Sequence, residues 1–178
     1  MATGTVFALI LKGVREAGTS PEGTLNRLLT ERRLTLSVAE SCTGGLISSR
    51  ITDAAGASAY FLAGLVTYSN EAKERLLSVP GDVIAAKGAV SAEVAGRMAE
   101  GARNATGADI GLSVTCIAGP GGGTDQKPVG TVYMGLAAEG VSLVRLFKFG
   151  GERLAVKRQA ADEALRLVLD YLEGSVSS

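Results

Sequence analysis

Short apolar runs rich in β-formers alternate with helix-length segments through the first two-thirds of the 178-residue chain, and two further runs follow back to back near its end. A strand reached through a helix can return parallel to its predecessor, whereas two strands joined by a tight turn pair antiparallel. That order confines the chain to the α/β class: a three-layer α/β/α sandwich around a mixed sheet, in a single domain. Ser20-Pro21-Glu22 supplies a cap, a first-turn proline and an early acid, which predicts a helix over Pro21–Arg33. Leu34–Ala39 follows as a buried strand, and Thr43-Gly44-Gly45 then opens a helix running to about Asp53. The second strand is expected over Ala59–Tyr68, with helices over Asn70–Leu77, Val83–Lys87 and from Ser91 to about Thr106. Asp109–Thr115 is the third strand, Thr131–Ala137 and Val141–Phe149 form a hairpin turning at Glu139-Gly140, and Glu152–Leu172 is an amphipathic helix. Residues 1–19 are expected to be an extension or a linker remnant, leaving 20–178 as the domain. The run Val6–Leu11 suits the inner face of a short helix and falls far below the roughly 20 apolar residues of a membrane span.

Lysine plus arginine and aspartate plus glutamate each number 18, so no broad basic field is available for a nucleic-acid backbone, and no nucleic-acid or membrane partner is expected. Two cysteines, Cys42 and Cys116, cannot build a disulfide framework, and a reducing cytoplasm is the expected setting. Histidine is absent altogether. That removes every Ser-His-Asp and Cys-His arrangement and, with two cysteines, the usual zinc ligand sets, so no metal and no cofactor is expected. Glycine occurs 24 times, nearly twice its usual share, and much of it is clustered where backbone would approach a ligand.

Ligands of open α/β sheets bind at the carboxyl ends of strands, and three loops follow strands here. In AESCTGG, Ala39–Gly45, Ser41 stands on a turn leading into a helix, where it could be a nucleophile, part of an anion cradle, or simply a cap. Cys42 beside it is a small hydrophobe or a rival nucleophile. In TYSNEAK, Thr67–Lys73, a lysine would ordinarily be solvated, yet without histidine Lys73 is the nearest plausible base for a serine. Its amine, protonated up to about pH 10, needs desolvation to act near neutrality. The loop Ala118–Gly130, with Gly119, Gly121, Gly122 and Gly123 around Pro120, fits no phosphate-loop or dinucleotide spacing and reads as a ligand cradle or a flexible lid. Glu40, Glu71, Asp109 and Asp125 are scattered, with no acid pair for glycoside chemistry.

Four segments in order, AESCTGG, TYSNEAK, KGAVSAEV at Lys87–Val94 and IAGPGGGTDQKPVGTVY at Ile117–Tyr133, closely resemble the CinA C-terminal domain family over about residues 25 to 172. The resemblance implies an amidohydrolase that converts nicotinamide mononucleotide to nicotinic acid mononucleotide and ammonia in pyridine nucleotide recycling. Carried over by motif, Ser41 is the nucleophile, Lys73 the base and Tyr68 a helper. Glu40, Thr43, Gly44, Gly45, Asn70, Thr115, Gly119 and Gly121 are the implied substrate contacts, with Arg153 as a cation and the amides of Thr43 to Gly45 as an oxyanion site. Cys116 stands where the family commonly has glycine and is expected to crowd the pocket or the adjacent strand; FGGER, ending at Arg153, stands where GDR is usual. A homo-oligomer is implied as well. Fused members carry a further N-terminal domain, and none is expected here. The alternative reading is a non-catalytic nucleotide-binding or regulatory module associated with competence or DNA damage.

Overall fold

A computed structural model describes residues 20–175. The expected extension over residues 1–19, with the run Val6–Leu11, lies outside them. Elements follow in the order α1 (Pro21–Arg32), β1 (Leu36–Glu40), α2 (Leu46–Thr52), β2 (Phe61–Val66), α3 (Asn70–Leu77), α4 (Gly81–Lys87), α5 (Ala92–Thr106), β3 (Ile110–Cys116), β4 (Thr131–Ala138), β5 (Val141–Lys148) and α6 (Arg153–Leu172). One sheet runs β2-β1-β3-β4-β5. β1 is parallel to both β2 and β3, and β4 pairs antiparallel with β3 and β5. The mixed sandwich inferred from element order is therefore the observed architecture.

Caps decide where helices begin. Ser20, Ser69 and Ser91 accept from the amides of Gly23, Ala72 and Val94, each three residues on. The expected second strand loses its ends: residues 57–59 form a short 3₁₀ turn, and Thr67 and Tyr68 leave the ladder. β2 is also an edge, with Leu62 and Val66 both 46% exposed. Its residues alternate between half-buried and exposed because only one side of an edge strand is covered.

The two faces of the central strands differ in chemistry. Leu36 and Val38 of β1, Leu112 and Val114 of β3, and Val132 and Met134 of β4 join Ile47 of α2 and Val156, Ala160, Leu165 and Val168 of α6 in the larger apolar cluster. The alternate positions carry small or polar residues, and α5 lies directly upon them. Ser37 Oγ meets Thr106 Oγ1 at 2.7 Å, Ser113 Oγ donates to the Ala95 carbonyl at 2.6 Å, and Gly111 and Gly135 lie against the carbonyls of Ala99 and Ala95. A Cβ on Gly111 would overlap the Ala99 carbonyl oxygen. Gly111→Ala is expected to cost about 2–3 kcal/mol in urea unfolding. Gly150→Ala, whose Cβ meets nothing within 4 Å, should stay within about 0.5 kcal/mol of the parent.

Candidate functional site

The carboxyl ends of β1, β2 and β3 lie side by side, in register at Glu40↔Val66 and Glu40↔Val114. The three loops singled out from sequence therefore open at one edge of the sheet, as expected for an open α/β fold. Two are tied to the ladder: the Ser41 amide donates to the Val114 carbonyl at 3.0 Å, and the Thr67 amide donates to that of Glu40 at 2.8 Å.

Lys73 lies on the first turn of α3 and points inward. It is 1% exposed, and its Nζ is 3.2 Å from Ser41 Oγ and 2.8 Å from the Thr67 carbonyl, with the carbonyls of Tyr68 and Ser69 at 3.5 Å. Among the described residues, no carboxylate touches it. Burial holds its pKa below the ordinary lysine range, and exposed Glu71 opposes that shift only by its charge at a distance. A neutral amine has two N–H bonds and one lone pair. Its two donors serve the Thr67 carbonyl and one of the two more distant ones, and the lone pair is left for the Ser41 hydroxyl proton.

Glu40 has a different task from the substrate contact implied by the resemblance. Alternation along β1 sends it to the same side as Leu36 and Val38, under α2, where it is fully buried. One carboxylate oxygen accepts from the amides of Gly45 (3.0 Å) and Ile47 (3.1 Å), and the other from the amide (2.9 Å) and hydroxyl (2.6 Å) of Ser48. It closes the start of α2 with a charge, which fixes the turn that carries Ser41. Replacing it with alanine strands three amides and is expected to cost about 3–5 kcal/mol in urea unfolding. Glu40→Gln keeps half the acceptors and should recover part of that loss.

Glu40 also limits the expected oxyanion site. The Gly45 amide is bound to the carboxylate, and the Gly44 amide donates to the Ser41 carbonyl at 3.2 Å. The amides of Cys42 and Thr43 have no acceptor among the described residues. They are the donors left free on this turn.

Cys42 and Cys116 form a disulfide, with Cα atoms 5.6 Å apart. The two cysteines build no framework, as expected, yet they do form this one cross-link, which the expected reducing setting did not anticipate. Cys116 ends β3 beside the turn after β1, so its side chain lies against Cys42 instead of crowding the pocket. Bonded sulfur is no thiolate, and Cys42 is not a nucleophile in this state.

Arg153 opens α6 and bridges two of the loops, donating to the Gly119 carbonyl at 2.8 Å and to the Tyr68 hydroxyl at 2.9 Å. Tyr68 is 61% exposed at the rim, Asn70 and Gly121 are also exposed, and Thr115 is buried with its hydroxyl donating to the Ala89 carbonyl at 2.9 Å. The glycine-rich loop is held: Lys127 Nζ donates to the carbonyls of Lys87 and Val90, both at 2.8 Å, and the Gly130 amide to that of Ile117 at 2.8 Å. Thr43 and Thr67, 1% and 0% exposed, keep buried hydroxyls with no partner. Sequence reasoning passed over Thr67, whose backbone carbonyl anchors Lys73; no side-chain signal marks such a role. Among the described residues, no three His, Cys, Asp or Glu side chains are grouped as a metal site, and no helix is long and apolar enough to cross a membrane.

An α/β/α domain in which a serine and a buried lysine meet at the carboxyl ends of parallel strands is the class that fold and site define. Comparison with known proteins narrows it. A model of the CinA C-terminal domain matches residues 19–172. The CinA-like protein of Geobacter sulfurreducens is 57% identical over 152 residues, which are 85% of this chain and 37% of that protein; that of Citrifermentans bemidjiense is 59% identical over 145 residues, 82% and 35%. The chain thus spans about a third of the length of these curated relatives. The crystal structure of competence damage-inducible protein A from Klebsiella pneumoniae superposes with a TM-score of 0.83 at 34% identity, covering 85% of this chain and 94% of that one. A competence/damage inducible protein from Agrobacterium tumefaciens gives 0.80 at 36%, covering 86% and 96%. The chain belongs to the CinA C-terminal domain family.

Proposed function

We propose that this domain hydrolyses the carboxamide of nicotinamide mononucleotide, releasing ammonia and nicotinic acid mononucleotide. The observation that carries the proposal is the 3.2 Å approach of a desolvated, carboxylate-free Lys73 amine to Ser41 Oγ. In the mechanism, Lys73 takes the Ser41 proton as Oγ attacks the amide carbon. The oxyanion of the tetrahedral intermediate is held by the amides of Cys42 and Thr43. The C–N bond breaks as Lys73 passes the proton to the leaving nitrogen, which departs as ammonia and leaves an ester on Ser41. Water then gives its proton to Lys73, its oxygen attacks the ester, and the carboxylic acid leaves as Ser41 recovers the proton. Tyr68, steadied by Arg153, closes the rim over the substrate.

Incubating the purified chain with nicotinamide mononucleotide and measuring ammonia together with the acid product tests the reading. Stoichiometric formation of both supports it, and a product without ammonia release overturns it. A regulatory, non-catalytic module is the second reading, favoured by the competence and damage names of the structural relatives. Saturable binding of the nucleotide with no turnover would decide for it. Assembly of several copies belongs to the proposal too, and light scattering on the purified chain checks it.

A further inference from the structure

A cavity of about 400 Å³ lies beside the nucleophile turn, between Thr43–Gly45 and the first turns of α6. Leu154, Lys157 and Arg158 line it from the helix, at the i, i+3, i+4 spacing that places three side chains on one face. Lys157 Nζ stands 3.7 Å from where a Gly44 Cβ would be. A side chain at position 44 would meet that ammonium only at ordinary contact distance, and it is the backbone that calls for glycine here, with Gly44 at φ +63° and Gly45 at φ +98°.

Most of the other cations in the domain are engaged. Arg27, Arg50, Arg97, Arg145 and Arg166 face carboxylates, and Lys127 and Arg153 donate to carbonyls. Lys157 and Arg158 have no hydrogen-bond or ion-pair partner among the described residues. Adjacent positive charges repel, so placing two of them at one cavity costs stability unless an anion occupies it. Thr43 is among the residues that line the cavity, while its hydroxyl is buried without a partner and out of contact with solvent.

We infer that this cavity seats a phosphomonoester, held by Lys157 and Arg158 with the Thr43–Gly45 turn beneath it. A phosphate monoester brings close to two negative charges at neutral pH and three acceptor oxygens, which match two adjacent cations better than a single carboxylate does. Ser41 is two residues from Thr43, within about 7 Å along the chain. A ligand with an amide at one end and a phosphate at the other can therefore reach both. This assigns the anionic end of the substrate to Lys157 and Arg158 and leaves Arg153 as a strut between Gly119 and Tyr68; it rests on the amidohydrolase reading for the identity of the ligand, and on the cavity alone for its chemistry.

Two measurements test it. The first compares kcat/KM for nicotinamide mononucleotide and for its phosphate-free nucleoside in the parent chain and in Lys157→Met/Arg158→Met. The parent should prefer the nucleotide by at least tenfold, and the double variant should lose at least tenfold of that ratio, mainly through KM, with a melting temperature no lower than the parent's. A ratio within twofold of the parent's overturns the inference, as does an equal loss in Lys148→Met, a cation on β5 away from the cavity. The second titrates ribose 5-phosphate by calorimetry. Saturable binding that the double variant loses supports the site even if neither nucleotide nor nucleoside is hydrolysed, an outcome that would sink the amidohydrolase reading alone. Absence of binding to the parent chain, or equal binding by both proteins, overturns the phosphate site.

Discussion

Ser41→Ala is expected to lower the rate of amide hydrolysis by about a thousandfold or more while the domain stays folded. Serine and alanine differ by one oxygen, and the one hydrogen bond of the Ser41 hydroxyl among the described residues is with Lys73. The fixed geometry of the turn comes from groups that the substitution leaves in place: the Ser41 amide bonded to Val114, and the Glu40 carboxylate beneath α2. A melting temperature close to the parent's with activity gone is the signature of a lost nucleophile. Hydroxylamine adds a second check. It should divert the serine ester to a hydroxamate in the parent and give none in the variant. Undiminished turnover in Ser41→Ala would remove serine from the mechanism.

Lys73→Met should act on activity and stability in opposite directions. Turnover is expected to fall by a factor of about 10²–10⁴, the usual contribution of a positioned base. Stability is expected to rise by about 1–3 kcal/mol, because an apolar side chain of similar length removes a buried amine that no carboxylate faces. The sign of the pH effect follows from the lowered lysine pKa. In the unfolded chain the amine holds its proton up to about pH 10.4, whereas in the folded domain it loses it earlier. Between the two values the unfolded state binds more protons, so stability climbs with pH across that window and is lowest below it. Urea titrations across this range should show the climb in the parent and a flatter profile in Lys73→Met. The acid limb of the pH–rate profile should lie below lysine's ordinary range and report the same group. A variant as active as the parent would exclude Lys73 as the base.

The pairing of Ser41 with Lys73 was legible before any coordinates because the absence of histidine leaves a serine few other bases, and both residues follow strands. Layer order was legible for a similar reason: helix caps, strand lengths and the late hairpin all agree. What escaped was long-range or unmarked. Glu40 reads as one of several scattered acids, although its place two positions after Val38 puts it on the side of the sheet that α2 covers. Neither spacing nor composition links Cys42 to Cys116, since the approach of β3 to the turn after β1 exists only in the folded sheet. The cavity beside Lys157 also needs two elements brought together, and along α6 its cations look like an ordinary solvated face.

The bond between Cys42 and Cys116 spans 74 positions and turns the stretch between them into a closed loop of chain. That loop contains α2 through α5 and most of β3, and it carries Lys73, while Ser41 lies one residue outside its closure. A protease that cuts once at an exposed site within it, such as Arg75 or Lys87, therefore leaves one covalent molecule. Electrophoresis of the nicked protein should give a single full-mass band without reductant and two fragments with it.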